Sequence, residues 1–250
     1  MGGVLRPLTG GRKEDLAMPT AAATPERLEQ LEQPQAEQTR QSESAVSGGA
    51  VYRVIKRTAD IFFSLAVLVL LSPVLLLIGL AVVLDDPHAG PIYRQKRCGK
   101  GGKEFSIYKF RSMRKDADKH LAELMERNEM TGPAFKIHDD PRITRVGKLL
   151  RRTSLDELPQ FVNVLLGQMS VVGPRPPLPG EVAEYTPEQR LRLAVKPGIT
   201  CIWQTTPGKN DLSFDEWVAL DVQYIQTRSL WLDLKLIFKT VGVMLRVTNE

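Results

Sequence analysis

Cysteine is scarce in this chain of 250 residues: Cys98 and Cys201 stand far apart, neither in a CxxC pair nor beside a histidine at ligand spacing. That argues against a disulfide-stapled module and against a zinc site, and it suits a reducing compartment. Residues 1–50 contain no aromatic side chain and are rich in Gln, Glu, Ala, Pro, Ser and Gly. Such a segment has too little apolar surface to offset the entropy of ordering. It reads as a disordered polar tail, with a short helix around residues 25–37 as its one candidate element. The same segment lacks the run of about seven or more apolar residues that a secretory signal needs. No internal repeat is present, which removes solenoids and propellers. The three histidines, His88, His120 and His138, share no spacing, and none is assigned a role.

Charge is unevenly spread. Residues 1–50 carry five Lys or Arg against seven Asp or Glu, so the formal net charge of +5 becomes +7 over the remaining 200 residues. A surplus of that kind suits a polyanion: nucleic acid, an anionic leaflet or a phosphorylated substrate. No recognised nucleic-acid module accompanies it, and nucleic acid is not expected as a partner.

Residues 61–84 form a run of 24 without a single charge, against the roughly 20 apolar residues that carry a helix across the hydrocarbon core. Ser72-Pro73 sits at its centre. Proline deletes a backbone hydrogen bond and bends the helix, while serine satisfies a freed carbonyl. Both flanks are positive: Arg53, Lys56 and Arg57 precede the run, and Arg94, Lys96, Arg97 and Lys100 follow it. By the positive-inside rule both ends belong on the cytoplasmic side, which a bent hairpin over residues 51–86 satisfies. A spanning helix with one frustrated flank is the alternative.

Residues 87–250 read as one mostly helical α+β domain. Phe105 to Phe110 alternates like a short strand. Asp116 to Met130 has the spacing of an amphipathic helix. Ser213 opens another through a capping box to Glu216. Leu230 to Leu245 is apolar enough for a core helix or for one lying in a membrane interface.

The densest chemistry lies in LRRTSLDELPQ, residues 150–160, where Arg151 and Arg152 precede the adjacent carboxylates Asp156 and Glu157. Ser154-x-x-Glu157 matches a capping box, a structural reading that stands beside the functional one. Pro159 interrupts the helix that the box would begin, which points to a specially shaped turn. A carboxylate beside guanidinium groups stays ionised at neutral pH, as a nucleophile or metal ligand must. Downstream, Val172 to Gly180 contains four prolines around Arg175, holding that side chain with little freedom to lose on gripping an anion. YKFRSM, residues 108–113, interleaves Lys109 and Arg111 with aromatics. His138-Asp139-Asp140-Pro141 offers metal-ligand types, but Asx-Pro is first a turn signal.

Taken together, the broken apolar hairpin, YKFRSM, LRRTSLDELPQ and GPRPP (residues 173–177) resemble the bacterial sugar transferases called monotopic phosphoglycosyl transferases, in that family's order over about residues 51–245. The resemblance implies a re-entrant hairpin broken at Ser72 and Pro73, with the protein on the cytoplasmic face of a bacterial inner membrane. It implies transfer of a sugar-1-phosphate from a UDP-sugar to polyprenyl (undecaprenyl) phosphate, the step that initiates exopolysaccharide, lipopolysaccharide or related glycoconjugate synthesis. Asp156 matches the nucleophile, which forms a covalent phosphosugar, and Glu157 its partner acid. Arg151 and Arg175 match arginines that contact phosphate, and Lys109 and Arg111 fall in a motif taken here as substrate-binding. Mg2+ near Asp156 is implied as cofactor, inner-membrane lipid as a partner, and a homodimer is left open.

Two departures limit the match. After Pro197-Gly198-Ile199-Thr200, the segment Cys201 to Asn210 is one residue longer than the family pattern and carries Lys209 for an arginine. The chain also has only a polar tail where larger members carry a four-helix membrane region, which places it with the short form. A non-catalytic membrane scaffold for envelope polysaccharide assembly is the rival reading, under which Asp156 and Glu157 are dispensable.

Overall fold

The structure, a computed structural model, describes residues 48–124, 128, 137, 140–209 and 211–247. Residues 1–47 of the expected tail lie outside them, as do His138, Asp139 and most of the second half of the helix expected over Asp116 to Met130. What is described of that helix is a 3-10 turn, Ala117–His120, followed by one α-helical turn, Leu121–Leu124.

Two helices open the described chain, α1 (Ala50–Leu70) and α2 (Ser72–Asp85). They are bent by 63° at the break, and among the described residues no single helix is long and apolar enough to cross a membrane. The break forms as its residues dictate. Pro73 occupies the first turn of α2, where its missing N–H costs nothing. Ser72 Oγ donates to the Val69 carbonyl at 2.8 Å, satisfying one of the acceptors that the break leaves open.

The amphipathicity of α1 is reversed relative to a soluble surface helix. Tyr52, Lys56, Asp60 and Ser64 recur every four residues and so form one stripe, and that polar stripe faces inward: Asp60 and Ser64 are buried. Tyr52 Oη and Lys56 Nζ reach Asp233 Oδ2 at 2.8 and 3.0 Å. Asp60 accepts from Ser170 Oγ at 2.7 Å and from the Val171 N–H at 3.2 Å. The outward faces are apolar instead, with Leu70 at 76% and Leu76 at 75% exposure.

Lys56 and Arg57, counted above as a topological flank, are committed to the domain, since Arg57 donates to the Val164 and Leu165 carbonyls at 2.6 and 2.9 Å. Arg97, counted on the other flank, is buried as well.

The expected strand is present as β2 (Glu104–Phe110), paired antiparallel with β1 (Ile92–Cys98), which the sequence reading did not propose. Helix α3 (Arg145–Thr153) leads into a 3-10 turn, Leu155–Glu157, and then α4 (Gln160–Leu165). A second small sheet pairs β3 (Ser170–Val172) in parallel with β4 (Gly198–Thr200). Gly173 and Gly198 let these backbones touch, because a Cβ on Gly173 would lie 2.9 Å from the Gly198 nitrogen and one on Gly198 would collide with the Gly173 nitrogen.

Helix α5 (Phe214–Thr227) starts at the expected box: Ser213 Oγ accepts from the Glu216 N–H, and the Ser213 N–H donates to Glu216 Oε2 at 2.7 Å. Helix α6 (Leu230–Val247) buries Asp233 and Leu236 while leaving Trp231 75% exposed. It is therefore a core helix along one face and an exposed apolar one along the other. The principal core joins Ile78 and Val82 of α2 to β2, α4, β3 and α6. A smaller core gathers Tyr185, Trp203, Phe214 and Trp217, with the two indoles stacked 4.4 Å apart.

Candidate functional site

The site begins where α3 stops. Ser154 caps that helix at φ 56, a left-handed conformation that costs a non-glycine residue roughly 1–2 kcal/mol. The chain reverses there into the single turn Leu155–Glu157. Residues three apart eclipse in a 3-10 turn, so Leu155 and Leu158 both point into the principal core. Asp156 and Glu157, between them, are turned the other way.

The capping-box reading of Ser154 and Glu157 is overturned. Ser154 makes no side-chain cap bond, and the Glu157 carboxylate instead meets Lys109 Nζ at 2.8 Å. A left-handed C-cap and a capping box share the same residue spacing, and only the backbone distinguishes them.

Lys109 is delivered by β2, and the register between β2 and the turn is set by Asn163, which the sequence reading passed over. Its Oδ1 accepts from the Tyr108 N–H at 3.0 Å, while Nδ2 donates to the Ser106 carbonyl at 2.8 Å and to Gln168 Oε1 at 2.7 Å. A fully buried amide satisfying three groups ties α4, which follows the dyad, to the strand that carries Lys109.

Asp156 is 8% exposed. Burial pushes its carboxyl up to about 6; Lys109 opposes that shift, Glu157 adds to it, and Arg151 opposes it in turn. Burial, which the motif does not reveal, therefore outweighs the neighbouring cations in setting the direction of the shift. With a pKa of about 6, the carboxylate still outnumbers its acid by about ten to one at pH 7. Burial acts on Glu157 too, but the Lys109 ammonium, with Arg175 and Arg97 behind it, holds this acid below its ordinary value.

The cations differ in their commitments. Arg151 Nε donates to Ser112 Oγ at 2.8 Å. Its guanidinium, lowered by burial, feels the charge of Asp156. Arg175 is half-buried and, among the described residues, has no hydrogen-bond or ion-pair partner. It shares a narrow cleft with Lys109, Glu157, Gln160 and Gln204. Arg111 is not brought to this cleft: its Nε donates to the Gly90 carbonyl at 3.0 Å and its guanidinium lies over the Tyr93 ring. Ser72 and Pro73 sit at the hairpin break. Asp140 is taken by Arg142 Nη2 at 2.6 Å. Gln160 and Gln204, two uncharged walls of the cleft, gave no signal in the sequence beyond their place in the motifs.

Among the described residues no three His, Cys, Asp or Glu side chains cluster as a metal site would require. Mg2+ asks for less, often one or two carboxylates with the remaining positions filled by water and substrate phosphate. Asp156, whose side chain forms no ion pair, fits that role; Glu157 is occupied by Lys109.

The site thus joins a buried carboxylate, Asp156, and a half-buried one, Glu157, to lysine and arginine side chains, in a chain that opens with a broken helical hairpin. The family model described as bacterial sugar transferase matches residues 51–247, and the chain belongs to that family. It is 49% identical over 180 residues to the galactosyl transferase CpsE of Streptococcus agalactiae serotype III (strain NEM316), covering 70% of this chain and 40% of that protein. It is 43% identical over 199 residues to the UDP-glucose:undecaprenyl-phosphate glucose-1-phosphate transferase of Escherichia coli (strain K12), covering 76% and 40%. With the undecaprenyl-phosphate galactose phosphotransferase of Salmonella typhimurium (strain LT2) the identity is 42% over 198 residues, covering 78% and 41%. The matches thus span about two fifths of the length of these relatives.

Proposed function

We propose that this protein transfers a sugar-1-phosphate from a UDP-sugar to undecaprenyl phosphate, with Asp156 as a covalent nucleophile. The observation that carries the reading is Asp156 itself: a mostly ionised, nearly enclosed carboxylate on a turn fixed by two core leucines, under the charges of Lys109 and Arg151. The relatives' names supply the donor and acceptor classes. Since those names include both glucose and galactose, the sugar is left unassigned.

In the first step a carboxylate oxygen of Asp156 attacks the β-phosphorus of the UDP-sugar. The bond from that phosphorus to the bridging oxygen breaks, and UMP departs with the electron pair. In the second step an oxygen of undecaprenyl phosphate attacks the same phosphorus, the acyl phosphate bond breaks, and the Asp156 carboxylate is regenerated. Arg175 and Arg151 offset the charge of the phosphates as they approach a carboxylate. Lys109 keeps Glu157 ionised and in place as the partner acid. Mg2+, held by Asp156 and substrate oxygens, would supply further charge neutralisation when bound.

The hairpin belongs to the same proposal. With apolar faces outward and a polar stripe bolted to the domain, α1 and α2 are read as a re-entrant element that enters and leaves by the cytoplasmic leaflet and brings the dyad to the lipid acceptor. Single cysteines near Arg53 and Gly101, in a background lacking Cys98 and Cys201, should both resist an impermeant thiol reagent in intact cells. Labelling of one site alone would mean a spanning helix.

The decisive experiment is a burst. Purified protein mixed with a UDP-sugar panel, without lipid, should release UMP close to one equivalent per site, and steady turnover should begin only on adding undecaprenyl phosphate. Protein quenched during the burst should carry a base-labile phosphosugar on the peptide containing Leu155-Asp156-Glu157. Turnover without an adduct would favour direct displacement by the lipid phosphate. An Asp156→Asn variant as competent in cells as the parent would return the scaffold reading.

A further inference from the structure

Arg97 lies on β1, outside every motif that the sequence reading treated as chemical. Its side chain is buried, 8% exposed, and it lines the narrow cleft that also holds Arg175, Lys109 and Glu157. A buried arginine normally has a carboxylate against it. Arg97 does not. Its Nε and Nη2 donate to the neutral Gln95 Oε1 at 3.1 and 2.7 Å, and its Nη1 donates to the Pro176 carbonyl at 3.0 Å. These bonds use three of the five guanidinium donors, leaving two N–H groups.

The residue after each partner is engaged too. The Cys98 N–H donates to the Pro177 carbonyl at 2.9 Å, so β1 holds the proline-rich turn at two successive carbonyls immediately beyond Arg175. Burial, helped by the adjacent Arg175 charge, depresses the Arg97 guanidinium to about 10; Glu181 and Glu157 oppose the shift without contacting it. Two guanidinium groups are thus kept close in a poorly solvated cleft. Among the described residues one has no partner and the other has only neutral ones. Such a pair is costly unless something doubly anionic spends part of its time between them.

We infer that Arg97 and Arg175 together form the clamp for the diphosphate of the nucleotide-sugar donor, with Gln95 orienting Arg97 and the Pro176 carbonyl fixing the spacing between the two arginines. The inference rests on the donor class proposed above and adds a binding residue to it. A neutral amide suits Gln95's position, because a carboxylate there would neutralise the cation that the substrate has to find. On this assignment Arg97 distinguishes a diphosphate from a monophosphate.

Calorimetric titration of the full chain in nanodiscs, with Mg2+ throughout and UDP and UMP as the probes, tests this directly. The wild type should bind UDP more tightly than UMP. In Arg97→Gln the UDP affinity should fall at least about tenfold while UMP changes by less than about threefold, so the preference for the second phosphate collapses. Arg97→Lys, which keeps the charge but not the fork, should fall between the two. Gln95→Glu, a near-isosteric change, should weaken UDP selectively as well. Equal losses for UDP and UMP would mean that Arg97 only supports the turn, and unchanged UDP affinity in Arg97→Gln would remove it from the site; either result overturns the inference while leaving the donor class intact. A wild type that binds neither probe overturns the donor class, and this inference with it.

Discussion

Two buried aspartates, Asp156 and Asp221, have carboxyl groups raised to about 6, and burial leads in both cases. Their surroundings separate them. Asp221 is completely enclosed in the smaller core, where its Oδ2 takes Arg192 Nε at 2.8 Å and Nη2 at 2.7 Å. Arg192 is itself sandwiched near Tyr185 and Phe214, and its Nη1 donates to the Tyr185 hydroxyl at 2.8 Å. Asp156 has no such fork. Of the cations that act on it, Lys109 is paired with Glu157, and Arg151 has no ion-pair partner among the described residues. A displaced carboxyl group marks burial, and burial serves scaffolding as readily as chemistry. What distinguishes the two aspartates is whether the nearby positive charge is already spent.

The comparison is broken most directly by exchanging what each aspartate loses. Asp156→Asn should lower burst and turnover by roughly a thousandfold or more, since an amide is a far poorer nucleophile. Its melting temperature should hold or rise, because the folded carboxyl sits above its unfolded value and the ionised form is disfavoured by folding, at neutral pH by on the order of 3 kcal/mol. Asp221→Asn should do the opposite. Leaving Arg192 buried without its partner should cost about 3–5 kcal/mol of stability in a denaturant titration, while the burst per folded molecule stays within a few fold. A collapse of chemistry in Asp221→Asn at full folding would erase the distinction.

Three smaller effects sharpen it. Arg175→Lys should slow turnover by about 10–100-fold at unchanged stability, because lysine keeps the charge but loses the planar fork. Burst rate should fall about tenfold per unit as pH drops below about 6, where protonation removes the Asp156 nucleophile, and it should level off above that value. Ser154→Gly should raise stability by up to about 1 kcal/mol, relieving the left-handed backbone that leads into the dyad. A loss there would mean that the serine hydroxyl contributes more than its conformation suggests.

Local signals carried much of the fold. Ser72-Pro73 announced the break between α1 and α2, Ser213 with Glu216 announced the start of α5, and the alternation from Phe105 announced β2. The dyad and Arg175 stood out because charge and proline crowd into short motifs. Long-range pairings left no such trace. Asn163 reads as an ordinary helical residue until β2 lies against it, and Arg97 reads as one more membrane-flanking cation until the chain folds it inward. Lys56 and Arg57 show the same limit: a count of flanking charges does not reveal which of them are already bonded to the domain. The turn at Ser154 misled in another way, since two different backbone paths suit the same four side chains.

Asp60 deserves a mechanical reading. It grips Ser170 and Val171, the opening residues of β3, and β3 runs straight into Gly173, Pro174 and Arg175. Close to it on α1, Tyr52 and Lys56 fasten to Asp233 on α6, whose Oδ1 accepts from the Tyr224 hydroxyl at 2.7 Å, an oxygen that also lies 3.1 Å from the Val172 carbonyl. Traction applied to the hairpin therefore has a short, stiff route to the arginine turn, through one carboxylate and three strand residues. On the membrane placement and donor proposed above, a bilayer that tilts the hairpin would tug on the spacing of the cleft, which makes the thickness and curvature of the lipid inputs to how tightly the donor is held.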